Sequence, residues 1–304
     1  MPKSSKSTPD SRRPEVGRLA PNYRLPAATH IGRVRLQVGD LDRSLAYYAG
    51  LLGFRVLDRA PGRAELGVDD TLIELVEHKG ARHVPHRGRL GLFHFAILLP
   101  DRASLGRMLG RLYATGIHTG MADHAVSEAL YLTDPDGLGI EIYADRPRET
   151  WRANGKELHM VTEPLDVESL NRAAGDMPWT GMPGGSVIGH VHLHVRDIDE
   201  AVKFYHEALG FDLMVWSYPG ALFLSAGGYH HHLGANIWAG VGAQAPATDE
   251  AQLLSWELVL PTEEAVGEAG KRLEGSGVKV ERHGEGAVEI ADPSGTTVRL
   301  VAAT

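Results

Sequence analysis

The chain has no cysteine among its 304 residues, which removes disulfides, thiolate metal sites and cysteine nucleophiles from consideration. Long apolar runs are missing too, since no stretch approaches the roughly 20 residues a helix needs to cross a bilayer. Basic residues are outnumbered, 31 Lys and Arg against 39 Asp and Glu, leaving a net charge of −8 with histidine neutral. That balance argues against a nucleic-acid partner and favours solubility. The first stretch, Met1 to about Pro26, is rich in Ser, Pro, Lys and Arg but lacks the apolar segment of a secretory signal. Residues 1–29 are therefore expected to form a flexible leader, and the chain is expected in the cytoplasm. Histidine, by contrast, is abundant, with 16 copies. Without thiolates, any metal must be held by histidine and carboxylate.

A repeat organises the rest. Asp40 opens Asp-Leu-Asp-Arg-Ser-Leu-Ala-Tyr-Tyr-Ala-Gly-Leu-Leu-Gly-Phe, and Asp197 opens Asp-Ile-Asp-Glu-Ala-Val-Lys-Phe-Tyr-His-Glu-Ala-Leu-Gly-Phe. The two stretches agree at both aspartates and at Tyr48/Tyr205, Leu52/Leu209, Gly53/Gly210 and Phe54/Phe211. This is a duplication. Alternating strands precede each copy, at 32–38 and 189–195. Asp42 and Asp199 are expected to cap the helices, and Gly53 and Gly210 to end them. A weaker repeat doubles each half: strand 93–99 with helix 102–115, then Asp134-Pro135-Asp136-Gly137 before strand 140–144. Its counterpart is strand 253–260 with helix 263–274, then Asp292-Pro293-Ser294-Gly295 before strand 297–301. The chain thus reads as four βαβββ units, near 30–80, 90–146, 187–240 and 251–304. Units one and two form a first domain (30–146), units three and four a second (187–304), and 147–186 is a linker.

Three positions stand out chemically. Glu141 lies on an alternating strand after a turn, between Ile140 and Ile142, which point the other way. A carboxylate facing inward is costly unless paired or metal-bound; a solvated edge glutamate is the plain alternative. His94 sits in the apolar strand Leu-Phe-His-Phe-Ala-Ile-Leu-Leu, where a satisfied core histidine is the usual reading. In the fourth unit Arg299 stands for Glu141, and Ser255-Trp256-Glu257 carries no histidine. The two residues are lost together, which favours a shared site. The third unit opens with His190, His192 and His194, three imidazoles on one strand face, where unit one has Arg33, Arg35 and Gln37. Three more histidines, His230, His231 and His232, precede a strand running towards Trp238.

These residues resemble the vicinal oxygen chelate superfamily over nearly all of 30–304, and within it the extradiol ring-cleavage dioxygenases of the two-domain catechol 2,3-dioxygenase type. His124, Leu130-Tyr131, Asp134-Pro135-Asp136-Gly137 and Glu141 follow the extradiol signature in type and spacing. Ala122, two before the histidine, is a minor departure. The resemblance implies an α+β fold, the four βαβββ units forming two curved, barrel-like mixed sheets with helices outside. It places a ligand seven residues before the aspartate that precedes the helix, which is His190 in unit three and Arg33 in unit one. The signature here lies in the N-terminal half rather than the C-terminal half, so units two and three are inferred to pair across the linker. His30 is the fallback ligand should units one and two pair.

The ligand set implied is His94, Glu141 and His190, suited to Fe(II) with Mn(II) as the alternative. His231 matches the family's acid–base histidine, and His124 and Tyr131 its substrate-side groups. His192 and His194 remain undecided between pocket and structural roles. The implied reaction is cleavage of a catechol by O₂ beside its hydroxyls, giving a hydroxymuconic semialdehyde. The partners expected are a small aromatic diol and O₂, without nucleic acid or membrane, in a homo-oligomer. A glyoxalase-type lyase or thiol transferase shares the ligands but lacks the His and Tyr of the signature, and a ligand-sequestering protein usually loses the ligands.

Overall fold

Each repeat unit opens with a strand and a helix and closes with three strands. The computed structural model describes residues 16–85 and 87–304. Unit one comprises β1 (His30–Val38), α1 (Leu41–Leu45), β2 (Arg55–Ala60), β3 (Arg63–Gly67) and β4 (Thr71–Glu77). Unit two comprises β5 (Gly91–Leu98), α2 (Arg102–Thr115), β6 (Gly120–Asp123), β7 (Ser127–Thr133) and β8 (Gly139–Asp145). The linker holds a two-strand ribbon, β9 (Ala153–Asn154) and β10 (Glu157–Leu158), and α3 (Val167–Ala174). Unit three is β11 (Val187–His194), α4 (Ile198–Ala201), β12 (Asp212–Val215), β13 (Ala221–Ser225) and β14 (Leu233–Asn236). Unit four is β15 (Gln252–Leu260), α5 (Glu263–Gly275), β16 (Val280–Arg282), β17 (Val288–Ala291) and β18 (Thr297–Ala302).

The helix caps differ by two residues from expectation. Asp40 and Asp197, rather than Asp42 and Asp199, accept the N–H of Arg43 and Glu200, each at 2.9 Å. An N-cap needs extended backbone, which Asp40 and Asp197 have (φ −155° and −149°). Asp42 and Asp199 lie in the first turn, where a carboxylate still favours the helix dipole. Both helices continue in wider π-type turns, Ala46–Leu51 and Val202–Ala208. Gly53 and Gly210 end them as expected, with φ of +89° and +99°.

Two eight-stranded mixed sheets result, and each takes one unit from either half of the chain. One runs β16-β17-β18-β15-β1-β4-β3-β2, joining units four and one; the other runs β12-β13-β14-β11-β5-β8-β7-β6, joining units three and two. In each, the first strands of the two units pair antiparallel at the centre (β1 with β15, β5 with β11). Each first strand then pairs parallel with the last strand of its own unit. Units two and three therefore do pair across the linker. The sheets cut across the division into 30–146 and 187–304.

A repeated contact ties the halves internally. Tyr48 donates to Asp134 Oδ2 at 2.9 Å, and Tyr205 donates to Asp292 Oδ2 at 2.8 Å. The other oxygen of each aspartate accepts two backbone N–H groups of its turn, from Asp136 and Leu138 or from Ser294 and Thr296. The tyrosine and aspartate shared by both repeats are thus a helix-to-turn clamp. One apolar core runs beneath both sheets, with Phe95, Leu105, Leu109 and Ile142 from unit two and Leu258, Leu273 and Leu300 from unit four. Of the expected leader, residues 1–15 lie outside the described residues. Residues 16–29 run against β12, where Arg18 and Leu213 exchange backbone hydrogen bonds (2.8 and 2.9 Å) and Arg24 pairs with Asp212 at 2.7 Å.

Candidate metal centre and pocket

Three adjacent strands, β11, β5 and β8, bring His190, His94 and Glu141 onto one face. Cross-strand register explains how. Ala96 stands opposite both Glu141 on β8 and His190 on β11, while His94 lies two residues back on the same strand face. The buried Ala96 methyl keeps the floor of the triangle low. One ligand atom from each of the three residues lies within 4.8 Å of the others, and all three residues are buried. His190 Nε2 is 3.1 Å and His94 Nε2 2.9 Å from Glu141 Oε2. The fallback His30 is exposed and belongs to the other sheet.

Burial by itself would raise Glu141, but attraction to His190 and His94 outweighs it and holds the carboxyl well below its usual range. Burial pushes His190 down to about 4, and the neighbouring His94 and His230 push the same way. Glu141 is thus ionised and His190 neutral, the state in which these groups bind a cation. His94 Nε2 fits the same reading. It is buried with no hydrogen-bond partner among the described residues, although Glu141 Oε2 lies close by. Two nitrogens and a carboxylate oxygen converging on one face form the facial triad suited to a first-row divalent metal.

The equivalent place in the other sheet shows what replaces such a triad. Arg33 stands where His190 does, Arg299 where Glu141 does, Ser255 where His94 does, and Glu257 takes the place of Ala96. Glu257 Oε1 lies 3.0 Å from Arg33 Nε and 3.3 Å from Arg299 Nη1. A carboxylate flanked by two guanidinium groups now fills the centre, closing it to a cation.

Beside the triad lies a pocket of about 340 Å³, lined by His94, Glu141, His124, Tyr131, His192 and His231 together with Phe93, Met160, Val161, Thr162, Tyr218, Phe223 and Trp238. His124 and Tyr131, expected on the substrate side, and His231, the expected acid–base residue, all line it. His124 Nδ1 lies 2.6 Å from the Val161 carbonyl and Nε2 2.7 Å from the Tyr131 hydroxyl. A carbonyl only accepts, so Nδ1 carries the proton and Nε2 accepts from Tyr131. The Tyr131 oxygen keeps lone pairs for another donor. The linker supplies one wall through Met160 to Thr162, held by His124 and by the Asp123–Glu163 backbone pair (2.9 Å both ways).

The histidine triplet is sorted by its contacts. His231 lines the pocket, its ring 4.0 Å from that of His190. His230 is fully buried and turned to Asp145, and His232 Nδ1 accepts the Ala226 N–H at 3.2 Å. Burial holds His231 well below the usual histidine range, helped by its neighbouring imidazoles, and pushes His232 down to about 3. His192 lines the pocket with its Nε2 unpartnered among the described residues, whereas His194 bonds Asn236 at 2.7 Å. Sequence reasoning passed over Ala96, the aromatic wall, and Tyr143 and Asp145. The last two share a strand face with Glu141 by simple alternation, a signal that was available.

Comparison with known proteins agrees with this architecture. The family model of the Glyoxalase/Bleomycin resistance protein/Dioxygenase superfamily matches residues 30–142 and 187–300. The chain belongs to that superfamily. It is 47% identical over 279 residues to a Catechol-2,3-dioxygenase of Bacillus subtilis (strain 168), spanning 90% of this chain and 97% of the relative. Among solved structures, a Bacillus subtilis protein provisionally described as a dioxygenase superposes with a TM-score of 0.63 at 15% identity, covering 92% of this chain and 86% of that one. Glyoxalase I from Zea mays gives 0.55 at 18% identity, covering 90% and 92%. At such identities the structural likeness speaks for the fold alone. Among the described residues no helix is long and apolar enough to cross a membrane.

Proposed function

We propose that the protein is an extradiol ring-cleavage dioxygenase. It opens the ring of a catechol, or of a catechol with apolar substituents, next to the diol, using O₂ and giving a hydroxymuconic semialdehyde. The observation that carries this reading is the pairing of a buried two-histidine, one-carboxylate cluster with an aromatic pocket that also holds His124, Tyr131 and His231. The near-full-length likeness to a catechol-2,3-dioxygenase supports it. His94, Glu141 and His190 would hold Fe(II), with Mn(II) as the alternative, and the metal when bound supplies Lewis-acid activation of the diol and a common template for both reactants.

The chain's own residues do the rest. The Tyr131 oxygen, its proton engaged by His124, accepts a hydrogen bond from a substrate hydroxyl. His192 Nε2 is available to a second substrate oxygen. His231 takes a proton from the diol and later returns it, the general acid–base role. Phe93, Phe223 and Trp238 hold the ring and keep water out. Among the described residues no Lys or Arg lines the pocket, so a neutral diol is favoured over a carboxylated one, whose charge would be buried unpaired.

The test is to load metal-depleted protein anaerobically with Fe(II), add catechol or 4-methylcatechol, and admit O₂. A yellow ring-opened product with one O₂ consumed per diol is expected. Absence of product with every apolar catechol, under both Fe(II) and Mn(II), refutes the reading.

A further inference from the structure

Behind His231 lies a hydrogen-bonded chain that the proposed reaction does not by itself require. Asp145 Oδ1 lies 2.9 Å from His230 Nε2, and His230 Nδ1 lies 2.7 Å from His231 Nδ1. The same Asp145 oxygen accepts from the Tyr229 hydroxyl at 3.1 Å, and Tyr229 and Tyr143 share a hydrogen bond of 2.8 Å. The ring of His230 is wholly buried, 4.0 Å from that of Tyr229 and 5.4 Å from that of Trp151. Asp145 sits at the outer end, partly open to solvent, and His231 at the inner end, on the pocket wall.

From this geometry we infer that Asp145 and His230 are positioning residues that set the tautomer of His231 and so decide which of its nitrogens carries a proton in the pocket. This rests on His231 being the acid–base residue of the reading above. A carboxylate is an acceptor only, so His230 must donate from Nε2. A neutral imidazole has one donor and one acceptor nitrogen, so His230 Nδ1 is then an acceptor. His231 must donate to it from its own Nδ1. Its Nε2, for which the described residues offer no hydrogen bond, is left as a lone pair. That is the form able to take a proton from a diol. Without the chain, either tautomer of His231 is allowed, and the Nε2–H form presents a donor where a base is needed.

The chemistry is balanced without further reactants. The O–H bond of the diol breaks, an N–H bond forms at His231 Nε2, and the electron pair stays on the diol oxygen. The positive charge left on His231 is shared through its Nδ1–H with His230 and, beyond it, the Asp145 carboxylate.

The experiment combines a tautomer measurement with variant kinetics. Long-range ¹H–¹⁵N spectra of histidine-labelled, metal-free protein report the protonation of each nitrogen independently of activity, with His231→Asn assigning the signal. Wild type is expected to show His231 protonated at Nδ1 and bare at Nε2. Asp145→Ala and His230→Leu should shift His231 towards the Nε2–H form. His230→Asn, whose amide oxygen can occupy the place of Nδ1 and accept from His231, should restore the wild-type pattern. In metal-loaded enzyme, acid–base contributions of about 10²–10⁴-fold imply that kcat falls at least about tenfold in Asp145→Ala and His230→Leu, with KM and metal content little changed and recovery in His230→Asn. A His231 protonated at Nε2 in wild type, or a tautomer indifferent to all three substitutions, overturns the inference. Failure of wild type to cleave any catechol would sink the functional reading instead, while leaving the tautomer result to be judged on its own.

Discussion

Acidifying the metal-free protein probes the electrostatic cost of this centre. His190 is pushed down to about 4 and His232 to about 3, in each case chiefly by burial, and His192 and His231 are held well below the usual range by burial and by the imidazoles around them. The sign follows from linkage. A histidine whose folded pKa lies below its unfolded value of about 6.5 gains its proton only on unfolding, so stability falls as pH drops from about 6.5 towards the folded pKa. At pH 5 His190 and His232 each contribute a loss of about 2 kcal/mol, from about 1.5 pH units at 1.36 kcal/mol each, and His192 and His231 act in the same direction. Two aspartates work in the opposite direction. Asp134 is raised to about 6 by burial and Asp292 is raised for the same reason, so both bind protons more readily in the folded state and gain stability on acidification. The four histidines outnumber the two aspartates, so unfolding takes up protons near pH 5, and each net proton costs about 1.4 kcal/mol of stability per pH unit. Against a whole-domain stability of about 5–15 kcal/mol, losses of this size lower the urea midpoint measurably between pH 7 and 4.5. Urea titrations followed by tryptophan fluorescence, at intervals between pH 7 and 4.5 on chelator-treated protein, give the slope directly. A slope corresponding to less than one proton across this window refutes the assignment of four buried neutral histidines.

Removing any one ligand, by His94→Ala, Glu141→Ala or His190→Ala, should abolish metal retention, measured by elemental analysis after gel filtration, while the circular dichroism spectrum stays that of wild type. Ala96→Leu should have a similar effect by filling the floor between Glu141 and His190, with about 1–3 kcal/mol of overpacking seen in thermal melts. Glu257→Gln leaves Arg33 and Arg299 without their shared carboxylate. Both arginines are partly exposed (37% and 31%), so a loss of about 1–2 kcal/mol in chemical denaturation is expected rather than the full cost of a buried pair. Gly53→Ala should destabilise by at least about 1 kcal/mol, because φ is +89° and a Cβ there would lie 2.6 Å from Gly181 Cα; an unchanged melting temperature would contradict this.

Local chemistry and the internal repeat made much of this protein legible in its sequence. The two copies of Asp-x-Asp…Leu-Gly-Phe located the helices and their glycine stops, because capping and left-handed termination depend on a few neighbouring residues. They placed the caps two residues late, at Asp42 and Asp199 rather than Asp40 and Asp197, since either carboxylate can serve and the choice depends on where the backbone turns extended. Alternation placed Glu141 on the face opposite Ile140 and Ile142, and its joint replacement with His94 in unit four tied the two together. The resemblance to the superfamily, through its seven-residue ligand offset, pointed to His190 in the far half of the chain and so to the pairing of units two and three that the sheets have.

Tertiary structure decided what no local pattern encodes. Register between β5, β8 and β11 puts Ala96 at the midpoint of the triad, a role invisible in an alanine read alone. The vestigial centre became a Glu257 bridge between Arg33 and Arg299 only once strands from opposite ends of the chain lay side by side. Among three consecutive histidines, contacts with Asp145, the pocket and Ala226 assigned three different surroundings. The physical reason is common to all three cases. Which side chains share a face follows from a strand's period of two, but which strands lie adjacent, and at what register, is settled by burying the apolar faces of the whole sheet together.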